Sequence, residues 1–304
     1  MLDKKLFGKT TQIDILRRYL HIIALLQNKD DKWNNGTLAE TLSKDPNSNS
    51  DIYDTHIKHC TEEYIENELG LTLTKRKGAR SFTFENPIEK DLLLRLINIY
   101  SIFVIEDIQK DIALQSLVEK YPEQCLWLLG RLFFAKIEKN VIEFKYTNNK
   151  GSNQKVACHP YHIIFKNNNL YLVALREYDG LVCLYIVNRI NDLKVKDKKF
   201  IEEIPDSASY FKNSISSYIS NKPAIKVILK FKKELRNNIN DILSGIEAEI
   251  EDKDDHCIAE CLLNDTMYLC KQLFLYGNGV EIIKPDSIRN EMTAMLKKSL
   301  SVYQ

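Results

Sequence analysis

After Lys139 the apolar residues change their period, and no single regular element can follow both halves of the chain. Upstream they recur at three- and four-residue steps, the period of helices buried on one face; downstream they alternate, the period of strands. "NVIEFKYTN", "QKVACHPYHIIFKNNNLYLVALRE" and "GLVCLYIVNRINDLKV" then read as about five short strands separated by polar turns, forming a small barrel or strongly bent sheet over 139–200. A chain of 304 residues exceeds the usual size of one domain, roughly 100 to 200 residues, so an α+β multidomain protein is expected.

From Thr11 to Gln27, Ile13, Leu16, Leu20, Ile23 and Leu26 mark one face of an amphipathic helix. "NNGTLAETLSK" predicts a short second helix, and a third is predicted from Asp51 to about Glu68, with Tyr53, Ile57, Cys60, Tyr64 and Ile65 inward. Leu71 and Leu73, then Phe82 and Phe84, alternate on either side of a basic turn, a β-hairpin pattern. Three helices and a hairpin over 1–87 follow the order of a winged helix-turn-helix, whose third helix enters a major groove while the wing meets phosphate. Ser50, Tyr53, Thr55, His56, Lys58 and His59 are the candidate groove residues, and Lys75, Arg76, Lys77 and Arg80 the candidate wing contacts. Acidic and basic residues balance over 1–86, and Asp51 and Thr55 stand near the start of the third helix.

Residues 88–138 read as helical, and "IEKDLLLRLINIYSIFVIEDI" is apolar on more than one face, as suits a connector that also dimerises. A Ser-, Asn-, Lys- and Tyr-rich stretch over 200–222 is a plausible linker. Beyond it, over 222–304, "AIKVILKF", "KELRNNINDIL", "GIEAEIE", "HCIAECLL", "DTMYLCKQLFLYG" and "GVEIIKP" follow the β-α-β-β-α-β order of a ferredoxin-like domain, closed by a helix from about Pro285.

A formal net charge of +1 confines any nucleic-acid contact to a local patch. The seven cysteines, without a Cys-x-x-Cys pair, argue against a disulfide framework or zinc ribbon and for buried, reduced thiols. His159 and His162 stand three apart on a strand, a step that puts their rings on opposite faces and argues against metal. His56, His59 and Cys60 have no second ligand pair. No apolar run reaches the roughly 18 residues of a membrane span, and the chain is expected to be cytoplasmic. Neither a phosphate-binding Gly-rich loop nor Gly-x-Ser-x-Gly nor His-Glu-x-x-His occurs, so no enzyme and no cofactor is expected.

Within the strands, Arg176 and Arg189 are planar cations suited to phosphate, and Tyr161, Tyr171 and Tyr185 could add stacking faces or hydroxyls; His159 joins this candidate ligand set. The competing reading makes one arginine an internal ion-pair partner and the tyrosines core.

"HPYHIIFKNNNLYLVALREYDGLVCLYIVNRINDLKV" resembles the WYL domain of bacterial transcriptional regulators. Pro160 and Tyr161 fill its first strand, Leu170-Tyr171-Leu172 stand at the Trp-Tyr-Leu signature with Leu170 in place of Trp, and Arg189-Ile190 end the last strand. "FLYGNGVEIIKPDSIRNEMTAMLKKSL" is similar to the end of that family's C-terminal extension. The resemblance implies an Sm/SH3-like barrel binding a nucleotide or single-stranded nucleic-acid effector, in a homodimeric repressor of a double-stranded DNA operator. Relatives regulate antiphage defence or DNA-damage genes. The alternative is an effector-binding module that no longer reads DNA and controls a partner protein.

Overall fold

In the computed structural model, residues 12–47, 52–75, 82–105, 112–148, 151–166, 168–215, 219, 222–243, 246–264 and 266–304 are described. Two units, 1–203 and 204–304, are divided within the stretch expected as a linker, and each has its own core.

The first unit begins with α1 (Gln12–Leu26), α2 (Asn35–Leu42) and α3 (Asp54–His59), the last continued by a π-helix over Cys60–Glu68. A reciprocal cap starts α2: Thr37 N–H donates to Asn34 Oδ1, and Asn34 N–H to Thr37 Oγ1, each at 3.0 Å. Ile13 and Leu16 are exposed, contrary to the expected face, because the first turns of α1 pack through Asp14, Ile15 and Arg18. Tyr53, expected inward, is 59% exposed. It caps α3 from outside the helix, while the wider π turn superposes residues five apart and so buries Cys60 and Ile65 together. A short hairpin follows, β1 (Leu73–Lys75) against β2 (Phe82–Phe84), with Leu73 opposite Phe84 and both buried.

Three helices connect this module to the main sheet: α4 (Lys90–Val104), α5 (Ile112–Lys120) and α6 (Cys125–Ile137). Nearly every residue of α6 from Cys125 to Ala135 is buried, which explains a sequence apolar all round. Gly130 makes its close packing possible: a Cβ there would stand 3.0 Å from the Tyr100 hydroxyl of α4 and 3.2 Å from Ala24 Cβ of α1. One apolar cluster runs from Leu20 through these helices to Leu193, so the stretches 1–87, 88–138 and 139–200 share a single core.

The sheet has the strand order β6-β5-β4-β3-β7, all neighbours antiparallel. Its strands are β3 (Asn140–Thr147), β4 (Asn153–Lys166), β5 (Asn169–Arg176), β6 (Val182–Ile186) and β7 (Ile190–Lys199). Ile142, Phe144 and Tyr146 of β3 and Val156 and Cys158 of β4 line the inner face with Leu172, Ala174 and Tyr185. Among the described residues the edge strands β6 and β7 do not pair with each other; a side chain spans the gap, the Tyr146 hydroxyl accepting Ile186 N–H at 3.1 Å.

A bulge in β4 corrects the sequence reading of the two histidines. Pro160 pairs with Ala174 and His162 with Val173, leaving Tyr161 as the extra residue. His159 and His162 therefore face Leu175 and Val173, two apart on β5, and lie on the same face of the sheet.

In the second unit β8 (Ile225–Lys232), β9 (Ala248–Asp252), β10 (His256–Leu263) and β11 (Val280–Lys284) form an antiparallel sheet in the order β11-β8-β10-β9. Alternate residues Val227, Leu229 and Phe231 of β8 and Cys257, Ala259 and Cys261 of β10 are buried with α8 (Thr266–Phe274) and α9 (Asp286–Leu300). The helix predicted from "KELRNNINDIL" is mostly a 3-10 segment, Lys233–Asn238, with α7 reduced to Ile239–Ile242. Asn237 and Asn238 are weak helix formers in its middle.

Candidate functional site

Four of the six candidate ligand residues fall on two opposite faces of the sheet. Arg176 and Tyr185 lie on the inner side, aligned with Cys158 and Leu172 across the ladder, whereas His159 and Tyr171 lie on the other. Tyr161 stands at the bulge between them.

Arg176 ends β5 and is held by Asp179 in the hairpin turn. Its Nε donates to Asp179 Oδ1 at 2.9 Å and a terminal N–H to Oδ2, while Asp179 Oδ1 also accepts Leu181 N–H at 3.3 Å. That bidentate bond raises the guanidinium pKa and lowers that of the carboxyl. Sequence reading missed Asp179 as the partner, although Arg-x-x-Asp followed by Gly180 at φ 66° is legible as a turn that brings the two together.

Tyr185 is 3% exposed, edge-on to Phe144 at 5.2 Å and Tyr146 at 5.1 Å. Burial is the main cause that raises its pKa, with the neighbouring Cys183 thiol adding to it. Tyr171 is half-buried between Ile164 and Ile186 on the neighbouring strands. Arg189 ends the 3-10 turn Val187–Arg189 that joins β6 to β7, and is half-buried.

His159 is buried and stacks flat on Phe200, ring centres 4.7 Å apart and planes 3° from parallel. Its Nε2 is 3.3 Å from Glu177 and its Nδ1 3.3 Å from Glu202, and Lys198 reaches the same Glu177 oxygen at 2.6 Å. Tyr161 leans on Phe200 at 6.0 Å, its pKa raised by burial first and Glu202 second. Phe200, Glu177 and Glu202 went unrecognised in the sequence, where nothing marks carboxylates 18 and 43 positions away as partners of one ring. Among the described residues no group of three His, Cys, Asp or Glu is placed to hold a metal ion.

On α3 the outward residues are Tyr53, Thr55 and Lys58, with Asp54 beside them and Lys58 Nζ 4.0 Å from Glu62. His56 Nδ1 accepts Tyr53 N–H at 3.2 Å, and His59 sits edge-on to Tyr64, which stacks on Tyr19. Both imidazoles therefore support the helix. Ser50, Arg76, Lys77 and Arg80 lie outside the described residues, and of Lys75 only the backbone, paired with Phe82, is described.

Residues 128–195 match the WYL domain and 223–300 the WCX domain. The first match begins inside α6 rather than at β3, in keeping with the burial of that helix in the same core as the sheet. Two solved structures are similar over most of the chain. Proteasome accessory factor B/C (PafBC) of Arthrobacter aurescens is 14% identical with a TM-score of 0.27, over 92% of this chain and 46% of that one. The crystal structure of a CRISPR Cas-related protein is 12% identical with a TM-score of 0.40, over 99% and 89%. This chain thus spans less than half the length of the first. No curated protein matches the sequence. No helix among the described residues is long and apolar enough to cross a membrane.

Proposed function

We propose that this protein is a ligand-responsive, DNA-binding transcriptional regulator. It acts as a homodimeric repressor whose WYL domain senses a nucleotide or single-stranded nucleic acid, in antiphage defence or a DNA-damage response. The observation that carries this reading is the succession along one chain of three helices and a hairpin, a WYL domain and a WCX domain. The anion contact is assigned to Arg189, half-buried on the turn between the two edge strands, at the position where the resemblance places the end of the last WYL strand. Operator affinity measured with and without short single-stranded oligonucleotides tests the proposal: the wild type responds and Arg189→Ala does not.

A second reading, a module that controls a partner protein without reading DNA, is supported by α3. Its outward face offers one lysine, countered by Glu62, and an adjacent Asp54. Absence of DNA binding even at low salt would favour it.

A further inference from the structure

The 3-10 turn Val187–Arg189 is held from outside the sheet by the end of α5. Asn188 Nδ2 donates to Ser116 Oγ at 2.8 Å, and Lys120 Nζ donates to the Asn188 carbonyl. Tyr121, the next residue, reaches further. Its hydroxyl stands 2.9 Å from Ile190 O, 3.2 Å from Asn188 O and 3.1 Å from Asn191 Oδ1, and these three acceptors share its one proton. Asn191 Nδ2 in turn donates to Arg189 O at 3.3 Å. The backbone on both sides of Arg189 is therefore fixed by one phenol from the connector, 69 residues from Ile190.

The backbone of Tyr121 serves the opposite side. Its carbonyl accepts Gln124 N–H at 3.0 Å and Cys125 N–H at 2.8 Å, where α6 begins. The first N–H groups of a helix need acceptors from outside its own ladder, ordinarily a side chain at the N-cap. Gln124 holds that position, yet its side chain makes no capping bond among the described residues. Gln27, immediately after α1 and 99 residues from Leu126, supplies the cap instead. Its Oε1 accepts Leu126 N–H at 2.7 Å and Trp127 N–H at 3.0 Å, and its Nε2 donates to Pro122 O at 3.2 Å. Trp127 Nε1 adds a bond of 2.6 Å to Asp31, from the same turn as Gln27.

Residues 121–127 thus join the turn that carries Arg189 to the end of α1 by directional bonds at both ends. Such bonds weaken steeply when bent, so a displaced turn either breaks them or takes the junction with it. Gln27 is 7% exposed, and a carboxamide so buried cannot exchange its lost partners for water. Moving together is the less costly course. Coupling between separated sites follows contiguous networks of this kind, and only a measured coupling establishes it.

We propose that Tyr121 positions Arg189 for its anion, and that Tyr121 and Gln27 together carry occupancy of the turn to the N-terminal helices. What occupies the turn rests on the regulator reading above; the mechanical link does not.

Hydrogen exchange of the full chain, followed by NMR without any ligand, tests the link. Tyr121→Phe removes the hydroxyl and keeps the ring. Exchange in this variant should quicken about fivefold at Ile190, whose N–H closes the turn on Val187 O, and also at Leu126 and Trp127, while the β5 amides stay unchanged. Gln27→Met, close in shape but without the cap, should quicken the same three amides. Fluorescence anisotropy of a labelled oligonucleotide then separates positioning from packing. Tyr121→Phe should weaken oligonucleotide binding about fivefold, because Arg189 is no longer held in place. Gln27→Met should keep that affinity within about twofold, being remote from the turn, and lose the shift in operator affinity. Quickening confined to Ile190 in Tyr121→Phe, oligonucleotide affinity unchanged in that variant, or a normal operator shift in Gln27→Met would overturn the proposal. A wild type that binds neither oligonucleotide nor DNA ends the regulator reading and the anion role of Tyr121 with it, and exchange alone then decides the mechanical link.

Discussion

Nδ1 of His21 lies 2.9 Å from the hydroxyl of Tyr100, 79 residues away, and both side chains are buried. His21 belongs to α1 and Tyr100 to α4, so the bond ties the N-terminal helices to the connector. On its other side Nε2 faces Asp45 at 3.3 Å, and Asp45 also receives Asn47 N–H at 3.0 Å. The neutral tautomer protonated at Nε2 serves both neighbours, with Tyr100 donating to Nδ1. Removing the hydroxyl in Tyr100→Phe leaves a buried ring nitrogen without a partner, and such a loss costs about 1–3 kcal/mol. Urea unfolding should show that decrease with an unchanged m-value.

Burial lowers the pKa of His21, outweighing the opposing pull of Asp45. The unfolded chain therefore takes up a proton that the folded one refuses as pH falls below the ordinary histidine value of about 6.5. Stability should fall on acidification from pH 7.5 to 5.5. The folded-state pKa of Asp45 is lowered instead, so its contribution is intact throughout that window and is lost only at more acidic pH. His21→Gln should reduce the acid-dependent loss; an identical loss in that variant would remove His21 from the explanation.

Gly130 lets α6 approach both neighbours of that bond. In Gly130→Ala the Tyr100 hydroxyl and the Ala24 Cβ must each give by a few tenths of an ångström, a strain offset by the roughly 1 kcal/mol gained in helix propensity. Gly130→Val adds two further carbons without that gain and should cost about 1–3 kcal/mol by overpacking. Thermal melts should place alanine near the wild type and valine well below it.

What the sequence discloses and what it conceals divide by range. The period change at Lys139 reveals the helix-to-sheet transition because burial on one face acts residue by residue. The bulge at Tyr161 does not show: "HPYHIIF" alternates plausibly in either register, and the extra residue is visible only against β5. The exposure of Tyr53 does not show because the residue looks like the first inward position of a helix from Asp51, whereas it is the extended residue before α3. Arg176 stands out in the sequence as a phosphate ligand, but its pairing with Asp179, three residues on, depends on the turn that Gly180 closes. The surroundings of His159 are assembled from Glu177, Phe200 and Glu202, and no local pattern can announce them.

The two arginines of the WYL domain should separate functionally. Arg176→Ala loosens the turn at Asp179 yet leaves the effector response within about twofold, whereas Arg189→Ala abolishes it, since removing a charge-assisted bond to phosphate costs on the order of 1.5–3 kcal/mol. Fluorescence anisotropy of a labelled oligonucleotide reads both. A response lost in Arg176→Ala and kept in Arg189→Ala would move the anion site to the hairpin turn.

The most direct test is the affinity of this protein for its own upstream DNA, measured across a salt series with and without a short single-stranded oligonucleotide. A transcriptional regulator predicts sequence-preferring binding that weakens steeply as salt rises and shifts when the oligonucleotide is added. Undetectable binding at low salt, or binding equally strong on unrelated DNA and indifferent to the oligonucleotide, would contradict it.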